Sequence, residues 1–133
     1  DDHDYGQNDA GAEYPEKVAS QQIFLDSFDE PKDSVRRTTR VIYDAKVFGP
    51  EGKHVNTILL DTRYFRSPLV KPSNQTQKAD GRNGHYDPNM DKYLTLLGAE
   101  QWACLEDQLK VPAELRVIAT SIQAIPDSHH WEK

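Results

Sequence analysis

The sequence contains a single cysteine and a single methionine among 133 residues. A lone thiol cannot form an internal disulfide, and it excludes a cysteine-rich zinc site. Cys104 sits among Trp102, Leu105 and Leu109 in an expected helix, where a core or boundary thiol fits better than a nucleophile. Long apolar runs are missing too: none approaches the roughly 20 residues of a membrane-spanning helix. Basic residues are in the minority, 16 Lys and Arg against 22 Asp and Glu, for a formal charge of −6. That balance leaves no uniformly cationic face for a polyanion, so no nucleic-acid partner is expected. No internal repeat is apparent.

The length suits one ordinary domain or a slice of a larger one. The chain opens on Asp1 with a motif already under way and closes on His129-His130-Trp131-Glu132-Lys133. Both ends read as cut, and residues 1–133 are expected to be an internal part of one larger domain.

Pro15 stands where a helix would begin, and Val18, Gln22, Leu25 and Phe28 follow on one face. Pro31 removes a donor and disfavours helix at the residue before it, so this helix should stop there. Residues 40–48 alternate, with Val41, Tyr43, Ala45 and Val47 on one side, and a second strand spans residues 54–60. The intervening Gly49-Pro50-Glu51-Gly52-Lys53 is a turn by composition, which makes the pair a β-hairpin. Ile58-Leu59-Leu60 is a continuous apolar run and predicts burial on both faces.

Residues 66–92 form a long aperiodic excursion, expected to be a lid or rim beside a site. A helix follows, with Gly98 near its start, Trp102, Leu105 and Leu109 at helical spacing and Pro112 at its exit. Leu115, Val117, Ile118 and Ala119 then read as another buried strand. Strand, helix and strand in this order imply a parallel β-α-β crossover, so the fold class is α/β. Ligand sites in such sheets gather at the carboxyl ends of strands. Asp61-Thr62-Arg63 and Ser121-Ile122-Gln123 occupy those positions.

The densest chemistry is at the start. Residues 1–9 carry four aspartates, a histidine and an asparagine. Carboxylate and amide oxygens suit hard cations, and an imidazole adds affinity for iron, zinc or manganese. An exposed acidic turn would have the same composition. A calcium-binding helix-loop-helix loop can be tested by counting from Asp2: Asp4 then falls at position three and Glu13 at position twelve. Gln7 occupies position six, where that loop requires glycine.

Four blocks resemble the alkaline phosphatase D family of metallophosphatases. They are Asp1-Asp2-His3-Asp4-Tyr5-Gly6-Gln7-Asn8-Asp9, Leu59-Leu60-Asp61-Thr62-Arg63-Tyr64-Phe65-Arg66, Leu97-Gly98-Ala99-Glu100-Gln101-Trp102 and Ala119-Thr120-Ser121-Ile122-Gln123. They occur in the family's order and span nearly the whole chain. The resemblance implies a layered α/β fold of the metallophosphoesterase type. It also implies hydrolysis of phosphate mono- or diesters at a centre of calcium and iron, and it favours export across a membrane.

Carried over by position, Asp2 is a metal ligand and His3 faces the transferring phosphoryl group or protonates the leaving oxygen. Asp4 orients His3 or supports the site from behind the ligands, and Asn8 contacts metal or phosphate. Asp4 and Asn8 are equally suited to closing the loop by hydrogen bonds to its backbone. Asp2 replaces the neutral Asn of the wider superfamily, and a carboxylate there holds a hard cation more strongly. Arg63 or Arg66, just past a strand, is placed to clamp a phosphate in bidentate fashion, although an ion pair with Asp61 or a neighbouring acid that pins the strand end is the plainer expectation. His129-His130-Trp131-Glu132 resembles a family segment written His-Gly-Trp-Glu, which makes His129 a candidate substrate contact. The family's remaining ligands lie in blocks absent from these residues, so this stretch alone is expected to be inactive. A calcium-binding or structural module without turnover is the alternative.

Overall fold

The computed structural model describes residues 2–71, 86–87 and 89–124, with the side chain of Asp2 excepted. In chain order the elements are α1 (Asp2–Tyr5), α2 (Lys17–Ser27), a 3-10 turn (Val35–Arg37), β1 (Asp44–Phe48), β2 (Val55–Leu59), α3 (Gly98–Lys110) and β3 (Leu115–Ala119). The three strands form one open mixed sheet in the order β1-β2-β3. The chain is α/β.

The hairpin forms where its turn residues place it. The Lys53 N–H closes the turn on the Pro50 carbonyl at 3.0 Å, and β1 runs antiparallel to β2 from Asp44 opposite Leu59 to Phe48 opposite Val55. β2 and β3 are parallel, with Val55 beside Leu115 and Leu59 beside Ala119. Helix α3 makes the connection and packs on the sheet through Ile58, Leu97 and Leu105, with Ala45, Leu60 and Leu96 around them.

Burial differs from the sequence pattern in four places, each for a physical reason. Leu59 is 41 % exposed beside a buried Ile58, because α3 covers only the face that carries Asn56 and Ile58. On the opposite face Phe48, Leu59, Leu115 and Val117 remain partly open. Strand β3 is largely exposed because α3 packs over β2, and no β3 residue joins the core cluster. On α3 the buried line is Gly98, Gln101 and Leu105, while Trp102 and Leu109 face outward. Cys104 lies at the boundary, and burial pushes its thiol pKa up.

Helix α2 buries Gln21 and Leu25, whereas Val18 and Phe28 are 58 % and 71 % exposed. The Gln21 amide explains the rotation. Its Nε2 donates to the carbonyls of Arg36, Thr39 and Val41 at 3.1, 2.9 and 3.3 Å. Its Oε1 accepts from the Val41 N–H at 3.3 Å. Residues 36–41 are thereby held against the helix through their backbone, and the Val41 N–H and carbonyl would otherwise be buried without partners. The helix ends before Pro31 in a left-handed Asp29, φ +53. Asp29 N–H bonds the Asp26 carbonyl at 3.1 Å and Glu30 N–H the Leu25 carbonyl at 2.9 Å, a Schellman closure.

The ends of the 66–92 excursion approach each other, since Val70 and Asp87 form an antiparallel bridge. Residues 72–85 and 88, which carry most of the expected lid, lie outside the described residues. Among the described residues no helix is long and apolar enough to cross a membrane.

Candidate functional site at the strand ends

Asp61 lies two residues past the end of β2 and organises the turn beyond it. Its Oδ1 accepts the N–H groups of Arg63 and Tyr64 at 2.9 and 3.0 Å, and its Oδ2 accepts the Ile42 N–H at 3.4 Å. A carboxylate that receives three backbone donors shapes the chain rather than reaching for a ligand. Its own backbone is clamped from the helix side. Gln101 Oε1 accepts the Asp61 N–H at 2.7 Å, and Gln101 Nε2 donates to the Asp61 carbonyl at 2.7 Å. Gln101 thus extends β2 by one strand-like pair, made by a side chain.

Helix α3 can come this close because its first residue has no side chain. Gly98 has φ +73, and a Cβ there would lie 2.7 Å from the Phe65 ring. Its N–H is received by Thr95 Oγ1 at 2.8 Å.

The turn after β3 meets the turn after β2 through a hydrogen bond between the Thr62 and Ser121 hydroxyls. Leu60 N–H continues the parallel pairing to the Ala119 carbonyl at 2.9 Å. The loop after the Asp/His block also docks here. Arg63 and Arg66 are both buried. Arg63 Nη1 donates to the Ala10 carbonyl at 3.2 Å, and Arg66 Nη2 donates to the Asp9 carbonyl. Ala12 N–H returns a bond to the Arg66 carbonyl at 2.8 Å. Burial, and then the neighbouring Arg63 charge, push the Arg66 pKa down, while the carboxylates of Glu13 and Asp9 oppose that shift.

Helix α1 sits over this arrangement. The Tyr5 hydroxyl donates to the Gly11 carbonyl at 3.0 Å, and Ser20 Oγ of α2 donates to the Tyr5 carbonyl at 2.6 Å. Burial raises the Tyr5 pKa, with the Asp61 charge adding to it. Lys17 Nζ bonds the Ala12 carbonyl at 2.9 Å and lies 4.5 Å from the centre of the Tyr64 ring. Between these groups is a cavity of about 150 Å³ whose walls include Asp4, Tyr5, Phe24, Leu60, Arg63 and Ser121.

The candidates named from sequence distribute unevenly around this cavity. Asp4 lines it, and Arg63 forms a buried wall. His3 lies beside Asp4 on α1 and is exposed. The backbone of Asp2 opens α1, and its side chain lies outside what is described. Asn8 is exposed, and its Nδ2 donates to Asp9 Oδ2 at 2.8 Å. His129 is outside the described residues. The expected anchor between Arg63 and Asp61 exists in another form: the Asp61 carboxylate takes the Arg63 N–H, and the Arg63 guanidinium reaches Ala10.

Arg66, the other candidate phosphate clamp, is as buried as Arg63. Two contributors escaped the sequence reading. Gln101 shares a helical stripe with Leu105, a signal that could have marked it as inward-facing. Tyr86, from the far end of the excursion, donates its hydroxyl to Asp9 Oδ2 at 2.7 Å, and nothing in the sequence indicates that pairing.

Among the described residues no group of three or more His, Cys, Asp or Glu gathers to hold a metal ion. No family model, curated protein or solved structure matches the chain.

Proposed function

We propose that the protein carrying these residues is a metal-dependent phosphoric ester hydrolase of the alkaline phosphatase D type, with a layered metallophosphoesterase fold of which this α/β stretch is one part. One feature carries the reading. The Asp/His block and the turns after two parallel strands border a single cavity at the carboxyl ends of the sheet, where α/β proteins bind ligands.

The described residues do not by themselves form a metal shell, so the ions require ligands from outside them. Asp2 and Asn8 are the oxygen donors this block offers to calcium and iron. Bound ions would supply hydroxide near neutral pH and polarise the phosphoryl oxygens. The chain's own residues do the rest. His3 delivers a proton to the departing oxygen, Asp4 orients the imidazole, and the Arg63 guanidinium contributes positive charge to the cavity wall. His129 remains a proposed substrate contact.

Metal content separates the ligand from the acid. In the whole natural protein, Asp2→Ala should lower the bound metal per chain measured by elemental analysis, because an oxygen ligand is lost. Unchanged metal content in that variant would remove Asp2 from the ligand set.

A further inference from the structure

We propose that Arg66 is a positioning residue for the Asp/His block, acting through residues 9–12; the inference rests on the hydrolytic reading of that block. Arg66 grips this loop in both directions. Its guanidinium donates to the Asp9 carbonyl, and its own carbonyl receives the Ala12 N–H at 2.8 Å. Between these two contacts lies Gly11, where an added Cβ would stand 2.4 Å from the Arg66 carbonyl oxygen. The loop reaches this seat only without a side chain there.

The seat connects directly to the catalytic candidates. The Gly11 carbonyl accepts the Tyr5 hydroxyl at 3.0 Å, and Tyr5 ends α1, the helix that carries His3 and Asp4. A displacement of residues 9–12 therefore moves the attachment of α1. The other side of the loop is fixed by Tyr86, whose hydroxyl bonds Asp9 Oδ2 at 2.7 Å.

Placing two guanidinium groups side by side in a buried turn opposes stability through mutual repulsion and desolvation. Here the carbonyls of Asp9 and Ala10 and the carboxylates of Asp9 and Glu13 offset it. A rigid planar donor suits this task better than a flexible ammonium. Neither arginine has to touch substrate for the arrangement to matter, because misplacing a catalytic group by about 1 Å can cost on the order of a hundredfold in rate.

The test uses the whole natural protein in its metal-loaded form. Gly11→Ala attacks the seat sterically and leaves every charged group in place. Arg66→Leu removes the guanidinium, Arg66→Lys retains a donor, and Tyr86→Phe loosens the other side. In Gly11→Ala, kcat should fall about ten- to a hundredfold, with KM within about twofold, as expected when only the transition state loses stabilisation. Arg66→Lys should fall between wild type and Arg66→Leu, and Tyr86→Phe should show the same pattern to a smaller degree.

Two readouts do not depend on turnover. Hydrogen exchange of the Ala12 amide should accelerate, and the NMR signals of the His3 imidazole should shift, in every variant that slows the enzyme. Faster Ala12 exchange with an unmoved His3 signal and intact kcat would overturn the proposal by reducing the seat to local structure. A loss of kcat without faster exchange would also overturn it, because Arg66 would then act on substrate directly. If Arg66→Leu does not fold, Gly11→Ala and Tyr86→Phe decide the matter. Absence of hydrolysis in the wild type would defeat the hydrolytic reading alone, and the His3 signal would still report whether the seat positions α1.

Discussion

Replacing His3 with alanine in the whole natural protein should lower turnover about 10²–10⁴-fold, the usual contribution of a positioned general acid or base, while bound metal stays nearly constant. The leaving group makes the expectation sharper. An alkyl ester departs as a strongly basic alkoxide and needs the proton that His3 would supply. An activated aryl ester departs without that help. His3→Ala should therefore harm hydrolysis of the alkyl ester more. Equal losses on both substrates would make His3 an electrostatic stabiliser, and loss of metal would make it a ligand. The exposure of His3 on α1 favours a clean result, since truncating an exposed side chain costs little stability.

Gln101→Leu should be the most damaging single substitution to the scaffold. Leucine fills a similar volume on the buried stripe of α3, so packing is largely preserved. What disappears is the pair of 2.7 Å bonds to the N–H and carbonyl of Asp61, together with a longer 3.2 Å bond to the Leu97 carbonyl. Both Asp61 backbone groups then remain buried without partners, at about 1–3 kcal/mol each. The combined loss should be roughly 2–6 kcal/mol of unfolding free energy, measurable by chemical denaturation. Gln101→Glu should not rescue it. A carboxylate accepts the Asp61 N–H but cannot donate to the carbonyl, and it brings a charge against that oxygen. A loss below about 1 kcal/mol would show that the turn relaxes or takes up water, and the clamp would then not hold the strand end.

The contrast between these two residues shows what the sequence could and could not reveal. The hairpin was legible because Gly49, Pro50 and Gly52 punctuate two strand-like runs. The crossover was legible because a helical stripe separates two apolar segments. The grouping of turns around the cavity follows from that topology alone. Burial was less legible, since it depends on what covers a face as well as on the pattern along it. Thus Leu59 and β3 lie open despite their apolar character, and Gln21 lies inside where Val18 or Phe28 was expected.

The supporting contacts of the site were least legible. Gln21, Gln101, Arg63 and Arg66 all bond backbone carbonyls or N–H groups of distant segments. Every residue type carries those groups, so no side-chain pattern betrays the pairing. Tyr86 meets Asp9 across 77 positions of sequence, next to the bridge between Val70 and Asp87.

The measurement that bears most directly on the hydrolytic reading is phosphate release as a function of bound metal. The whole natural protein would be stripped of metal, its residual content checked by elemental analysis, and calcium and iron returned stepwise against mono- and diester substrates. Hydrolysis should vanish with the metal and return in proportion to the ions rebound. Full activity in the stripped protein would contradict metal-dependent hydrolysis. No activity at full metal occupancy on either ester class would leave the Asp/His block as a calcium-binding or structural element without turnover.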